Sequence, residues 1–201
     1  DNGNTALGIE GTVRGALILT AGAAITDSDT LTVTGASSFT IDTGSNHITL
    51  GTAALSGAIG VSTTGTSNFT LDNTTTAVNL GTVGVTGALS VTSGAAITDS
   101  GVITVAGTAT FVTDVNDIDI TLNQSNAIAG ALTFTTNTGG SNGADITLNN
   151  GSTAISLAGF TTRGNLTLET TNAIALPGHT VNGNLSVTSA GAITQSAALT
   201  V

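Results

Sequence analysis

Short apolar pairs spaced by two recur along the chain: Leu17 and Leu19, Leu31 and Val33, Phe39 and Ile41, Ile48 and Leu50, Phe69 and Leu71, Leu89 and Val91. The residue between the members of a pair is usually Thr or Ser, the period-two pattern of a strand with one buried face. Each patterned stretch lasts three to five residues. Between the stretches stand Gly, Asn, Asp and Ser, as in DTGSN at 42–46 and NTGGSNG at 137–143, which supply the positive-φ corners of tight bends. The pattern predicts many short strands separated by sharp turns, and no helix.

The strands are organised by an internal repeat. The phrase GALILTAGAAITDSDTLTVT from Gly15 aligns without gaps to GALSVTSGAAITDSGVITVA from Gly87, with 13 of 20 positions identical, and again to GNLSVTSAGAITQSAALTV from Gly183. The offsets are 72 and 96 residues. Shorter echoes begin at Gly57, Gly130 and Gly164, so successive starts differ by 42, 30, 43, 34 and 19 residues. Intervals of 42 and 43 read as two turns of about 21 residues, 19 as one short turn, and 30 and 34 as one turn carrying a loop insertion. Three short strands fit in one such turn. An antiparallel sandwich also has short strands, but nothing in its plan requires phase to be kept over 72 and 96 residues. The expected fold is therefore all-β, a right-handed parallel β-helix (a three-sided β-solenoid) of about eight or nine coils with loop insertions, forming a rod on the order of 40 Å long.

Composition agrees with this. Only 7% of residues are charged, aromatics are 2%, Cys, Met, Trp and Tyr are absent, and Val, Ile, Leu and Thr dominate, with a mean hydropathy of +0.39. Such a chain is too apolar for disorder and too poor in Glu, Lys, Arg and Gln for helices. The net charge of −10 sets twelve carboxylates against Arg14 and Arg163, so no basic patch exists to neutralise phosphates and nucleic acid is excluded as a partner. No apolar run approaches the roughly 18 residues of a spanning helix, so membrane insertion is not expected. An acidic surface of Thr, Ser, Asn and Gly suits an extracellular or cell-surface location.

GALSVTSGAAITDSGVITV and GNLSVTSAGAITQSAALTV resemble the repeat regions of filamentous-haemagglutinin-like exoproteins and of large bacterial β-helical adhesins. The likeness runs from about Val13 to Val201 and is one of style and period. What the resemblance implies is export, a rod-like shaft, and attachment to a host, a neighbouring cell or a matrix.

The candidate chemistry is sparse. Parallel β-helices include polysaccharide lyases and hydrolases, which need clustered carboxylates or basic groups in a groove. Arg14 and Arg163 are far apart in the repeat count, and His47 and His179 fall about six coils apart, each expected in an exposed loop. The chain is therefore expected not to be an enzyme and to need no cofactor. The densest acidic group is Asp114, Asp117 and Asp119, with Asn116, a set of hard oxygen donors that could hold calcium. Alternation places Asp117 and Asp119 on one side of a strand opposite Ile118 and Ile120, which is also how a solvated face looks. Asp27 and Asp99 are equivalent in the 72-residue repeat, but Gln195 takes the third place, so a charge there is expected to be dispensable.

The expected function is a structural or adhesive shaft, with residues 1–201 a single solenoid segment. Its end strands are uncapped, so the segment is expected to be an excerpt of a longer array or a subunit that stacks end to end into extracellular fibres. The alternative is a ligand-binding solenoid with ice or glycan on Thr-rich faces: Thr30, Thr32 and Thr34 alternate with Leu31 and Val33, and Thr104 and Thr200 recur in phase.

Overall fold

The computed structural model describes residues 3–137, 139 and 143–201. The chain winds through about nine turns of a β-solenoid in which every paired strand is parallel to its neighbours, and the described residues contain no helix. Two sheets of 11 strands each form its walls. The front wall runs Leu7–Val13, Ile25–Val33, Ile48–Leu50, Phe69–Asp72, Leu89–Ser93, Ala109–Asn116, Leu132–Asn137, Ile155–Thr161, Ile174–Leu176, Ile193–Gln195. The back wall runs Leu17–Ala21, Ser37–Ile41, Ala58–Ser62, Val78–Val85, Ile97–Asp99, Ile120–Leu122, Ile146–Asn149, Leu166–Thr170, Leu185–Ser189.

Alternation along these strands puts the apolar pairs inside. Phe39, Ile41, Ile48, Leu50, Phe69 and Val91 are fully buried, and the core is one continuous column. All five Phe point inward; Phe111 and Phe134, on adjacent turns of the front wall, stack with ring centroids 5.5 Å apart. A single turn has nothing to close its core above or below. The fold is therefore stable only as a stack, in which each neighbour completes the backbone ladders and seals the interior.

Turns vary between 18 residues, from Leu7 to Ile25, and 26, from Ile120 to Ile146. The longest carries an insertion between Leu132–Asn137 and Ile146–Asn149, part of which lies outside the described residues. Of the corners predicted from DTGSN and NTGGSNG, Gly44 and Gly143 have φ of 71° and 77°.

The repeat is wound differently from its simplest reading. Leu17 lies in the back wall, Leu89 in the front wall and Leu185 in the back wall again. The 72-residue offset thus spans three and a half turns and the 96-residue offset four and a half. The intervals of 30 and 34 residues are one and a half turns each, since Gly57 and Gly164 lead into back-wall strands and Gly87 and Gly130 into front-wall strands. The same phrase folds equally well into either wall because both walls ask the same of it: a long strand, a bend, and a short strand with apolar residues inward.

The half-turn shift moves the third, short strand of the turn. In the first turns it follows the front wall, where Leu31–Val33 pairs with Ala53–Leu55. In the middle turns it follows the back wall, where Val83–Val85 pairs with Ile103–Val105 and then with Ala127–Ile128. Each of these columns ends on a buried asparagine. Asn73 accepts the Leu55 N–H at 2.8 Å and donates to the Leu55 carbonyl at 3.1 Å, the two bonds a further strand would have made. Asn150 does the same for Ile128, at 2.9 and 3.0 Å.

Candidate functional site

Each turn is tied to the next at its corners by side chains that accept backbone N–H groups. His47 Nδ1 accepts from Asn68 and Asn68 Oδ1 from Ala88, just ahead of front-wall strands. On the other corner Asp119 accepts from Asp145, Asp145 from Asn165 and Asn165 from Asn184, at 2.7–2.8 Å. This explains why the repeat phrase reads Gly-Asn at 164–165 and 183–184. The strand that follows begins with an N–H that the turn below must satisfy, and an Asx side chain reaches it.

The acidic candidates for calcium fall in this corner rather than on a strand face. The front-wall strand ends at Asn116, and Asp117 turns the chain with φ of 59°, so Asp117 and Asp119 do not share one side of a strand. Asp117 Oδ1 accepts the Gly143 N–H at 3.0 Å, and the Asp114 carbonyl accepts from Asn137 Nδ2 at 2.7 Å. Asp114 and Asp119 are exposed. Among the described residues no group of three His, Cys, Asp or Glu side chains is placed to hold a metal ion.

Asp27 and Asp99 also hold the next turn, and here the structure differs from the reading that charge is dispensable. Asp27 accepts the N–H groups of Gly51 and Thr52 at 2.8 and 2.6 Å. Asp99, which is buried, accepts from the N–H of Asn123 at 2.9 Å, from the N–H of Gln124 and from Asn126 Nδ2 at 2.7 Å. Asn126 in turn accepts the buried Ile103 N–H at 2.8 Å. Asp99→Ala is expected to lower unfolding free energy by about 2 kcal/mol, because those donors lose a charged acceptor, while Asp99→Asn should lose less. Urea titration followed by circular dichroism reads the difference.

The histidines remain six turns apart. His47 is exposed, as expected. His179 is not: its ring stacks on Phe160 at a centroid distance of 4.6 Å and its Nδ1 is buried. Its apolar surface caps the last inward Phe, a role that spacing alone does not reveal.

The outer surfaces carry two further features. A shallow groove of about 440 Å³ runs beside the back wall over residues with small side chains, among them Ser62, Gly84, Thr104, Ala127 and Ala106, where the third strand stands on that side. The second feature is a file of hydroxyls up the middle of the front wall: Thr26, Thr49, Thr70, Ser90, Thr110 and Thr133 stand in register on six successive turns. The Thr residues singled out in the sequence do not form it. Thr32 pairs with Thr12 and then with Ala54, and Thr104 lies between Gly84 and Ala127.

Parallel walls, a stacked apolar core and corner-to-corner amide bonds define a β-solenoid repeat protein. The chain belongs to the family described as repeats of unknown function (DUF5649), which matches residues 1–64, 66–135 and 163–201. The match beginning at 66 leads into the front-wall strand Phe69–Asp72 and that beginning at 163 into the back-wall strand Leu166–Thr170, the same half-turn alternation seen in the repeat phrase. No curated protein and no solved structure matches the chain.

Proposed function

We propose that this solenoid is a structural and adhesive shaft of an exported protein, displayed at a cell surface or in an extracellular matrix, and that its role is mechanical rather than catalytic. The observation that carries this reading is the continuity of both walls. Each turn offers the next a complete parallel edge, an apolar core and a set of side-chain acceptors, so the array extends by simple addition of turns. A stack hydrogen-bonded along its length resists shortening and bending, and its Thr-, Ser- and Asn-rich exterior carries few charges for nonspecific attachment.

The same logic describes the edges. Leu7, Ile9, Val13, Leu17 and Leu19 in the first turns and Leu185, Val187 and Leu199 in the last pack only partly against the core, and Ile193 is 52% exposed. A further parallel turn, supplied by the same polypeptide or by a second copy, would cover them. Residues 170–201 contain no Asp, Glu, Lys or Arg, so no charge guards that edge. Residues 1–201, purified, are expected to form concentration-dependent linear oligomers in sedimentation and electron microscopy, and Ser186→Lys with Thr194→Lys on the edge strands to reduce them. A protein that stays monomeric at high concentration, or lateral clumps unaffected by these changes, would count against the stacking edge. Failure of intact producing cells to expose the segment to added protease would count against display.

A further inference from the structure

We propose that the front wall carries an ice-binding face. This goes beyond the shaft reading and stands independently of it, since it rests on the register of one set of side chains.

Ice presents oxygens at fixed lattice positions. A surface that binds it needs hydroxyls and methyls at fixed spacing, flatness over several repeats, and no mobile charged side chain. In the front wall Thr70, Ser90, Thr110 and Thr133 form the upper part of the central file, and Thr92, Val112, Thr135 and Thr161 form a second file beside it on the same face. Neighbours along a file are separated by the strand spacing of about 4.8 Å, close to the repeat of oxygens along the basal axis of ice, and the files are two residues apart, about 7 Å. Val112 keeps the shape of Thr, so one methyl of the pattern survives even where the hydroxyl does not.

Three observations separate this array from threonine used simply as a strand former. First, it is not visible as a Thr-x-Thr run in most of the chain; it arises because residues 20 to 23 apart are brought into line. Second, it is rigid. Register is unbroken from Leu89 to Ser93 against Ala109 to Thr113, and Phe111 and Phe134 lie buried and stacked directly behind it. β-Branched side chains on such a wall have little χ1 freedom, so ordering them against a lattice loses little entropy. Third, the rectangle is uncharged. Asp72 stands at the head of the second file and Asp114 lies beyond the strand's bend, but neither is inside it.

The back wall serves as the comparison within the same molecule. Thr98, Thr121, Thr147 and Thr167 also form a file. Its companion file holds Asn149 and the exposed Glu169, and the Thr98 hydroxyl donates to the Val78 carbonyl at 3.0 Å. A long carboxylate keeps its own water and stands off a flat lattice.

The test is thermal hysteresis and inhibition of ice recrystallisation by residues 1–201, with Thr110→Lys/Thr133→Lys on the front wall and Thr121→Lys/Thr147→Lys on the back wall. The expected result is hysteresis in the parent protein, its loss to the level of buffer in the front-wall variant, and its retention in the back-wall variant, with circular dichroism unchanged in both. If the front-wall double variant melts early, Thr135→Lys on the second file is read in its place. A folded parent with neither activity overturns the proposal, as does equal loss from both walls.

Discussion

Gly107→Ala is expected to destabilise the solenoid by about 3 kcal/mol, the upper range for forcing an atom into a packed site, although it adds a single methyl group at an exposed-looking turn. A Cβ built on Gly107 would stand 2.5 Å from the carbonyl oxygen of Gly87 and 2.7 Å from its carbonyl carbon, in the turn below. Both are backbone atoms, so no side chain can rotate away. The chain must instead move two turns apart, which weakens the ladder between Leu89–Ser93 and Ala109–Asn116 and the Gly107 N–H bond to the Gly87 carbonyl at 3.0 Å. Gly130 sits over Gly107 in the same way, and Gly57 over Gly35 over Gly15, so the requirement is close approach of backbone to backbone rather than an unusual φ. Gly84→Ala is the control: its Cβ would meet only the Val61 carbonyl oxygen, at 3.8 Å, and should leave stability nearly unchanged. Calorimetric melting of the two variants beside the parent separates the cases. Equal melting temperatures for Gly107→Ala and the parent would show that the turns can slide apart without loss.

Asn150→Ala should lower stability by a comparable amount, about 3 kcal/mol, through lost hydrogen bonds rather than overlap. The Asn150 side chain is fully buried; its oxygen accepts the Ile128 N–H, and its amide hydrogens point at the carbonyls of Ile128, Thr153 and Ala154 at 3.0–3.2 Å. Alanine leaves that N–H and those carbonyls without their partner in a place closed to water. Asn150→Asp is the sharper probe. It keeps the shape, but an ionised carboxylate would face three carbonyl oxygens, so at neutral pH it should be less stable than Asn150→Ala. Burial beside carbonyl oxygens raises such a carboxyl group's pKa above its unfolded value, so the protonated form is the one the fold tolerates. Stability of Asn150→Asp relative to the parent should therefore rise as the pH falls towards the unfolded carboxyl pKa. A pH series of urea unfolding checks the sign. Hydrogen exchange at Ile128 gives the local reading, and unchanged protection there in Asn150→Ala would show that the side chain does not act as the missing strand.

Asn73 and Asn150 also show where sequence reasoning stopped. The signal was present: Asp72-Asn73-Thr74-Thr75-Thr76-Ala77-Val78 and Asn149-Asn150-Gly151-Ser152-Thr153-Ala154-Ile155 share an Asx, an Asn, a residue of positive φ and a Thr-Ala pair in the same order. In both, the first Asx accepts the N–H of the positive-φ residue, Thr74 or Gly151. Read on its own, each looks like one more polar turn. That its second residue is buried and ends a column depends on which strand lies below it, and no local pattern carries that. The acidic corner is similar: three carboxylates close in sequence resemble a cation site, yet the partners of Asp117 and Asp119 are N–H groups of Gly143 and Asp145, 26 residues onward.

Period-two apolar pairs with Thr or Ser between them determined by themselves that the chain forms short strands with one buried face, because a strand places alternate side chains on opposite sides whatever lies around it. The long-range repeat determined that those strands stack as a parallel coil, because only stacking uses one phrase again and again in phase. Which wall each copy enters was decided only in the tertiary structure. The phrase satisfies both walls equally, so its position follows from the summed lengths of all the turns before it, and a change of half a turn exchanges front for back. From that sum also follow the side on which the third strand lies, the asparagines that close its columns, and the alignment of Thr26, Thr49, Thr70, Ser90, Thr110 and Thr133 into one file.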